Sequence, residues 1–191
     1  MSTLTEPVVG PITICLDYST PKGEVIPLHR NKFLSVYYDG YHHFVRFNKY
    51  AEGVVAVARY RNGDFAMVEL ERSPRFGLSL ELVRGGVEPG ESTADAAKRE
   101  CLEETGHAAN IVACLGPIGA DTATIDAVNT AYLLEILNDI PDAPFDEQEV
   151  RRPVRVSPDE LIQKIARGDI KCGITLAALL KALAYAGFAA A

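Results

Sequence analysis

One stretch restricts the fold of this chain more than any other: GGVEPGESTADAAKRECLEETGHAA, from Gly85 to Ala109. It opens on a glycine-bearing loop, runs from Thr93 to Thr105 without Gly or Pro, and meets Gly106. That spacing predicts a helix over 93–105, capped by Ser92 or Thr93 and stopped by Gly106. The short apolar run LSLELV leads directly into Gly85-Gly86 and predicts a strand. The unit is therefore strand, tight loop, helix, and the rest of the fold has to be built around it.

The segments before it read as strands. ITICLDY alternates moderately, and NKFLSVYYDGYHHFVRF is rich in aromatic and β-branched residues around Asp39-Gly40. GVVAVARYRNGDFAMVEL places two apolar runs around Arg61-Asn62-Gly63-Asp64, a second hairpin signature. SPRFG reads as a loop. After the helix, IVACLG and NTAYLLEIL predict strands separated by the loop GPIGADTATIDAV. An acidic loop, NDIPDAPFDEQE, precedes VRRPVRV, a strand that Pro153 confines to an edge or a bulge. Ser157-Pro158-Asp159-Glu160 is a capping box with Pro at the first helical position, opening a helix that ends at Gly168. A last helix runs through TLAALLKALAYAG. Strands, helix, strands, helices imply an α+β fold in which a mixed sheet carries helices.

Within the first helix, Arg99 is followed by Glu100, Glu103 and Glu104. At about 100° per residue, Glu104 lies roughly 40° to one side of Glu100 and Glu103 about 60° to the other. Three carboxylates thus share one side of the helix near its C-terminal end. Like charges at this spacing, and negative charge at that end of the dipole, both disfavour the helix. A hard divalent cation reverses the sign, because Mg²⁺ takes oxygen ligands from a few carboxylates and from substrate phosphates. A solvated acidic surface is the plain alternative.

The bulk properties narrow the field. The 191 residues are 48% hydrophobic with a net charge of −7, which suits one globular domain with a small appendage and argues against a nucleic-acid partner. Cys15, Cys101, Cys114 and Cys172 have no CxxC spacing, which argues against a zinc site or a thioredoxin-like motif, and a reducing cytoplasm is expected. The N-terminal MSTLTEPVVG lacks the features of a signal peptide. The apolar C-terminal stretch contains Lys181 and is short for a membrane span, so it is expected as a buried or interface helix.

Gly85, Glu91, Arg99-Glu100, Cys101, Glu103-Glu104, Gly106 and His107 follow the pattern G-x5-E-x7-R-E-U-x-E-E-x-G-U, where U is a bulky apolar residue. This resembles the box of the Nudix hydrolases. The resemblance implies an α/β/α sandwich with a mixed β-sheet. It divides the chain into an N-terminal β-rich extension over 1–48, a possible dimerisation region, and a Nudix domain over 49–191. It implies that Glu100 and Glu104 are the principal metal ligands, and that Glu103 is a further ligand or a water-orienting group. The Arg84 carbonyl joins the metal shell, and Glu91 pairs with Arg99 to fix loop against helix. Gly85 and Gly90 permit a tight loop with backbone near the ligand. One to three Mg²⁺ or Mn²⁺ ions are expected, and the implied reaction is hydrolysis of a diphosphate linking a nucleoside to another group.

LELVRGGVEPGE and VSPDELIQKIARGDIKCGITLAALLKAL resemble the branch that cleaves ADP-ribose and ADP-sugars. That resemblance implies a small-molecule nucleoside diphosphate substrate, no membrane or nucleic-acid partner, and a homodimer. A triphosphate or dinucleotide pyrophosphohydrolase is the alternative, and a non-catalytic nucleotide-binding module is a further one. In that branch a loop after the box often supplies a base or an extra ligand; Glu147 and Glu149 are candidates, against an exposed acidic turn. Arg72 and Arg75 are candidates for the substrate phosphates, against solvated loop arginines. Glu81, Gly85 and Gly86 are expected to line the site. His42 and His43, adjacent on a strand, would point to opposite faces and are read as packing or solvent contacts. The Tyr37, Tyr38, Tyr41 and Phe44 cluster is read as core or interface, with base stacking as the alternative.

Overall fold

The structure, a computed structural model, describes residues 24–50, 52–148 and 150–189. The strand expected at ITICLDY, Cys15 and Glu149 lie outside these residues. β1 (Ile26–Arg30), β2 (Leu34–Tyr38) and β3 (His43–Phe47) form a small antiparallel sheet. The β2–β3 turn falls on Asp39-Gly40 as its sequence predicts. Asp39 Oδ1 accepts from the Tyr41 and His42 amides, and Gly40 takes φ 88°.

The larger sheet contains β4 (Glu52–Arg59), β5 (Phe65–Glu71), β6 (Leu78–Glu81), β7 (Val83–Gly86), β8 (Ala109–Gly119), β9 (Val128–Ile136) and β10 (Arg152–Val156). Its order is β10-β5-β4-β9-β8, with β6 on β5 and β7 on β4. β4 and β9 are parallel and the other pairs antiparallel, so the sheet is mixed. β4 and β5 pair only beside their turn, at Ala58–Ala66 and Arg59–Phe65. Beyond it they diverge, and the segment from Leu78 to Gly86 enters the gap. It pairs first with β5 and then, past Leu82, with β4. The single strand expected for LSLELV is therefore two, because its two halves serve different neighbours.

The helices are α1 (Thr93–Thr105), α2 (Pro158–Arg167) and α3 (Gly173–Ala189). Alternation along β4 assigns each to a face. Val54, Ala56 and Ala58 point into the core under α1 with Ala96, Ala97 and Cys101. Val55 and Val57 point into the opposite core with Leu161 of α2 and Ala178 and Leu179 of α3. Both faces of the strand are buried, and each fully buried Val or Leu contributes about 1.5–3 kcal/mol. This is the expected α/β/α sandwich.

One boundary differs from the sequence reading and one alternative is resolved. β8 continues through Gly-Pro-Ile-Gly to Gly119, so the long loop shrinks to 120–127. Bulges between Ile111 and Ala113 and between Cys114 and Gly116 absorb the irregular residues, and Pro117 is tolerated because β8 is an edge strand. Of the two possible caps for α1, Ser92 is the one used: its Oγ accepts from the Asp95 amide, while Gly106 ends the helix at φ 77°. β10, with Pro153, is the other edge. Ser157 and Gly168 bound α2 as expected. No described helix is long and apolar enough to cross a membrane.

The small sheet is fastened to loop 120–127. The Val45 amide donates to the Thr124 carbonyl at 2.8 Å, the Asp126 amide donates to the Val45 carbonyl at 2.9 Å, and Arg46 pairs with Asp126. The open end of the β2–β3 hairpin, at Phe33 and Phe47, lies on the same cavity as Gly85 and Gly86 of β7.

Candidate active site

α1 packs across β4 and β7 and turns Glu100 and Glu104 inward, 6% and 4% exposed, while the Glu103 side chain remains half exposed. The Glu100 carboxylate sits on the Gly85 backbone, and a Cβ there would lie well inside 3 Å of it. The Arg84 amide donates to Glu104 Oε2 at 3.3 Å. Gly85 belongs to a strand rather than to the loop expected for it, and it is required for space. Gly90, at φ 84°, is required for conformation.

Arg99 organises the loop. It donates to both Glu91 oxygens at 2.9 and 3.0 Å, to the Gly86 carbonyl at 2.8 Å, and to Glu100 and Glu103 at 2.8 Å each. The Glu91 bonds in particular hold the guanidinium more firmly protonated than usual, and Arg99 in turn holds the Glu91 carboxyl below its ordinary range. Glu91 and Arg99 thus bind the loop to the helix.

Glu81, at the end of β6, is 2% exposed. It accepts a forked pair from Arg72 at 2.9 and 2.8 Å and a third bond from Arg84 Nε at 3.0 Å. Burial alone would raise its carboxyl. The Arg72 hydrogen bonds and the charges of Arg84 and Arg72 outweigh it and hold the group down to about 2. Arg72 and Arg84 line a cavity of about 450 Å³ with Leu70, Gly85, Glu104 and Asn129. A second cavity of about 520 Å³ shares Arg84, Gly85 and Asn129 with it and continues to Phe33, Phe47, Tyr50 and Ile125. One end of the combined cleft is charged and the other apolar.

The cleft gathers Arg72, Arg84, Gly85, Gly86 and Glu104. It does not gather Arg75, which lies in the exposed turn between β5 and β6. Glu147 is exposed in the acidic loop, but that loop is tied to the box: the Asp146 amide donates to the Glu103 carbonyl at 2.7 Å. His107 is a core residue. Its Nδ1 lies 3.1 Å from the Asn138 carbonyl, which can only accept, so Nδ1 carries a proton. In the neutral ring Nε2 then accepts from the Tyr60 hydroxyl at 3.0 Å. His42 sits in the turn beside Asp39, whereas the His43 ring packs on Tyr38, so the two share no ligand position. Tyr37 and Phe44 stack on each other within the small sheet, and neither lines the cleft.

Sequence reasoning passed over Phe33, Phe47, Tyr50 and Asn129. Phe33 and Phe47 flank the β2–β3 hairpin and were visible as aromatic residues. Nothing local indicates that the open end of the hairpin meets the box. Tyr50 is explained by Gly86, since a Cβ there would lie 2.2–2.6 Å from three atoms of the Tyr50 ring. Asn129 lies over Gly53 in the same manner.

The NUDIX domain matches residues 49–172. No curated protein matches the sequence. Among solved structures, a NUDIX hydrolase from Nitrosomonas europaea is 26% identical with a TM-score of 0.57, over 71% of this chain and 90% of that one. A structure described as an ADP compounds hydrolase is 19% identical with a TM-score of 0.70, over 87% of this chain and 95% of that one, a likeness of fold. With the family matched over most of its length, Arg99 joined to Glu91, Glu100 and Glu103, and Glu104 alone of the box carboxylates lining the cleft, the chain belongs to the NUDIX family and is a hydrolase of phosphoric anhydride bonds.

Proposed function

We propose that the protein is a Mg²⁺- or Mn²⁺-dependent hydrolase that cleaves the diphosphate of ADP-ribose or a related nucleoside diphosphate sugar to a nucleoside monophosphate and a sugar phosphate. The observation that carries this reading is the two-ended cleft. Arg72, Arg84 and Glu104 face one end, and Phe33, Phe47 and Tyr50 face the other. A diphosphate suits the charged end, because guanidiniums donate in forks that match phosphate oxygens. A flat base suits the aromatic end. The solved neighbour described as an ADP compounds hydrolase has the same substrate class.

Glu100, Glu103 and Glu104 offer the oxygen donors that a hard divalent cation takes; in this arrangement Arg99 engages Glu100 and Glu103, and among the described residues no three acidic side chains already converge on one point. In this reading Glu100 and Glu104 would hold the ions with the Arg84 carbonyl, and Glu103 would be a further ligand or the group that orients water. A divalent ion, when bound, would supply charge neutralisation to the diphosphate and would lower the pKa of a water. Glu103, where it is not a ligand, would orient the attacking water, and Glu147, in the loop tied to the box, or Glu149 is the candidate to accept its proton. Arg72 donates to the phosphate oxygens. The enzyme is proposed to act in the cytoplasm as a homodimer.

Incubation with a panel of nucleotide sugars, dinucleotides and triphosphates under Mg²⁺ and Mn²⁺ tests the assignment. AMP and ribose 5-phosphate from ADP-ribose are expected. Pyrophosphate release from a triphosphate, with no cleavage of any nucleotide sugar, would replace it with the house-cleaning reading.

A further inference from the structure

Across the large sheet, Gly86 of β7, Gly53 of β4 and Asn129 of β9 stand in register. Residues in register direct their side chains to the same face. The two glycines leave that face bare, and their neighbours occupy the space. The Tyr50 ring lies on Gly86, where a Cβ would come 2.2–2.6 Å from three ring atoms. The Asn129 carboxamide lies on Gly53, where a Cβ would come 2.4 Å from Oδ1. Neighbouring strands are about 4.8 Å apart. Ring and carboxamide are therefore side by side, one strand spacing apart, a step that one sugar ring spans.

β9 is paired on both sides, by β4 and by β8, so the backbone of Asn129 is fixed. Its carboxamide has two N–H donors and a carbonyl acceptor. Among the described residues it makes no hydrogen bond. The two cavities of the cleft share Arg84, Gly85 and Asn129. Arg84 Nε is engaged by Glu81, and Gly85 has no side chain. Asn129 is thus the uncharged hydrogen-bonding side chain at the junction of the aromatic and charged ends.

In a nucleoside diphosphate, covalent connection puts the ribose between the base and the phosphates. A base at the aromatic end and a diphosphate at the charged end leave the ribose at the junction. We infer that Asn129 binds the ribose hydroxyls and makes the protein select ribonucleotides over deoxyribonucleotides. This rests on a nucleoside diphosphate occupying the cleft as proposed above. A hydroxyl both donates and accepts, as the carboxamide does, so two vicinal hydroxyls satisfy it. A deoxyribose leaves part of it unpaired. The sheet already holds the carboxamide in place, so binding does not have to order it.

Calorimetric titration of the full chain in Mg²⁺ with ADP, 2′-deoxy-ADP and 3′-deoxy-ADP tests it. Wild type should bind ADP about tenfold tighter than one or both deoxy forms, the discrimination of one hydroxyl contact. Asn129→Leu keeps the volume and removes the hydrogen bonds. It should weaken ADP about tenfold, leave the disfavoured deoxy form unchanged, and so abolish the preference. The KM for a cleaved ribonucleotide should rise in this variant with less change in kcat. If Asn129→Leu does not fold, as read by circular dichroism, Asn129→Ala takes its place, and the wild-type comparison of the three sugars needs no variant. Equal affinity of wild type for all three, an equal loss for all three in the variant, or a preference for ribose that survives it would overturn the role of Asn129. Cleavage of ADP-ribose by wild type alongside any of these results would refute the ribose contact and leave the substrate assignment standing. A ribose preference lost in the variant, with no nucleotide sugar cleaved, would refute only the substrate assignment.

Discussion

The Glu100 carboxylate rests on the backbone of Gly85, so closely that a Cβ on that residue would lie well inside 3 Å of the Glu100 Cδ and both oxygens. Gly85 has no positive φ, so its requirement is purely spatial. Gly85→Ala should drive Glu100 off its seat. It should cost about 1–3 kcal/mol of stability, the usual range for overpacking, and most of the activity. Thermal unfolding and initial rates check both. Wild-type kcat in this variant would show that the Glu100 position is unimportant.

Gly86 stands in the same relation to the Tyr50 ring. Gly86→Ala should displace that ring from the apolar end of the cleft, and Tyr50→Ala should remove it. Both should raise KM for a nucleotide substrate several-fold and change kcat less, since the ring brings no acid, base or metal ligand to the reaction. A stacked base is worth about 1–3 kcal/mol by alanine substitution in single-strand nucleic-acid binding, which sets the upper end of the effect. Unchanged KM in both variants would remove the aromatic end from substrate binding.

Much of this was legible before the structure. The limits of α1 followed from Ser92 and Gly106, both hairpins from their turn residues, and the edge position of β10 from Pro153. That Glu100, Glu103 and Glu104 share one side of α1 followed from spacing, because helix geometry is local; their roles came only from the family resemblance. What escaped was long-range. LSLELV carries no mark of its change of partner at Leu82, which depends on how β4 and β5 diverge and on Thr175, far along the chain, whose hydroxyl accepts from the Leu82 amide. Phe33 and Phe47 reach the cleft only because Val45 and Arg46 fasten the small sheet to loop 120–127. Glu81 and Arg84 lie close enough in sequence to suggest a pair, but their convergence with Arg72 comes from the inserted strand.

The carboxyl of Glu81 is held at about 2 in the folded protein, against an ordinary value of 4.5. A lowered pKa contributes stability that is fully present above the unfolded value and disappears as pH falls through the folded one. That contribution is on the order of 3 kcal/mol. In denaturant titrations, the advantage of wild type over Glu81→Gln should be constant above pH 5 and shrink between about 4.5 and 2. A pH-independent difference would mean that the ion pairs do not supply it.

Burial pushes the Cys101 thiol up to about 11, whereas Cys114 is exposed on β8. Reaction needs thiolate and access. At pH 8 an aromatic disulfide reagent should modify Cys114 readily and Cys101 only on unfolding, as read by peptide mass mapping. Fast modification of Cys101 in the native protein would contradict its place in the core.

Hydrolysis of ADP-ribose by wild type and Glu104→Gln, at saturating Mg²⁺ and with matched circular dichroism spectra, bears most directly on the central claim. Groups that merely support metal ligands are worth 10–100-fold, so loss of a ligand should cost more than about a hundredfold. The account predicts AMP and ribose 5-phosphate from wild type and a loss of that size in the variant. Near-normal turnover by Glu104→Gln would contradict it.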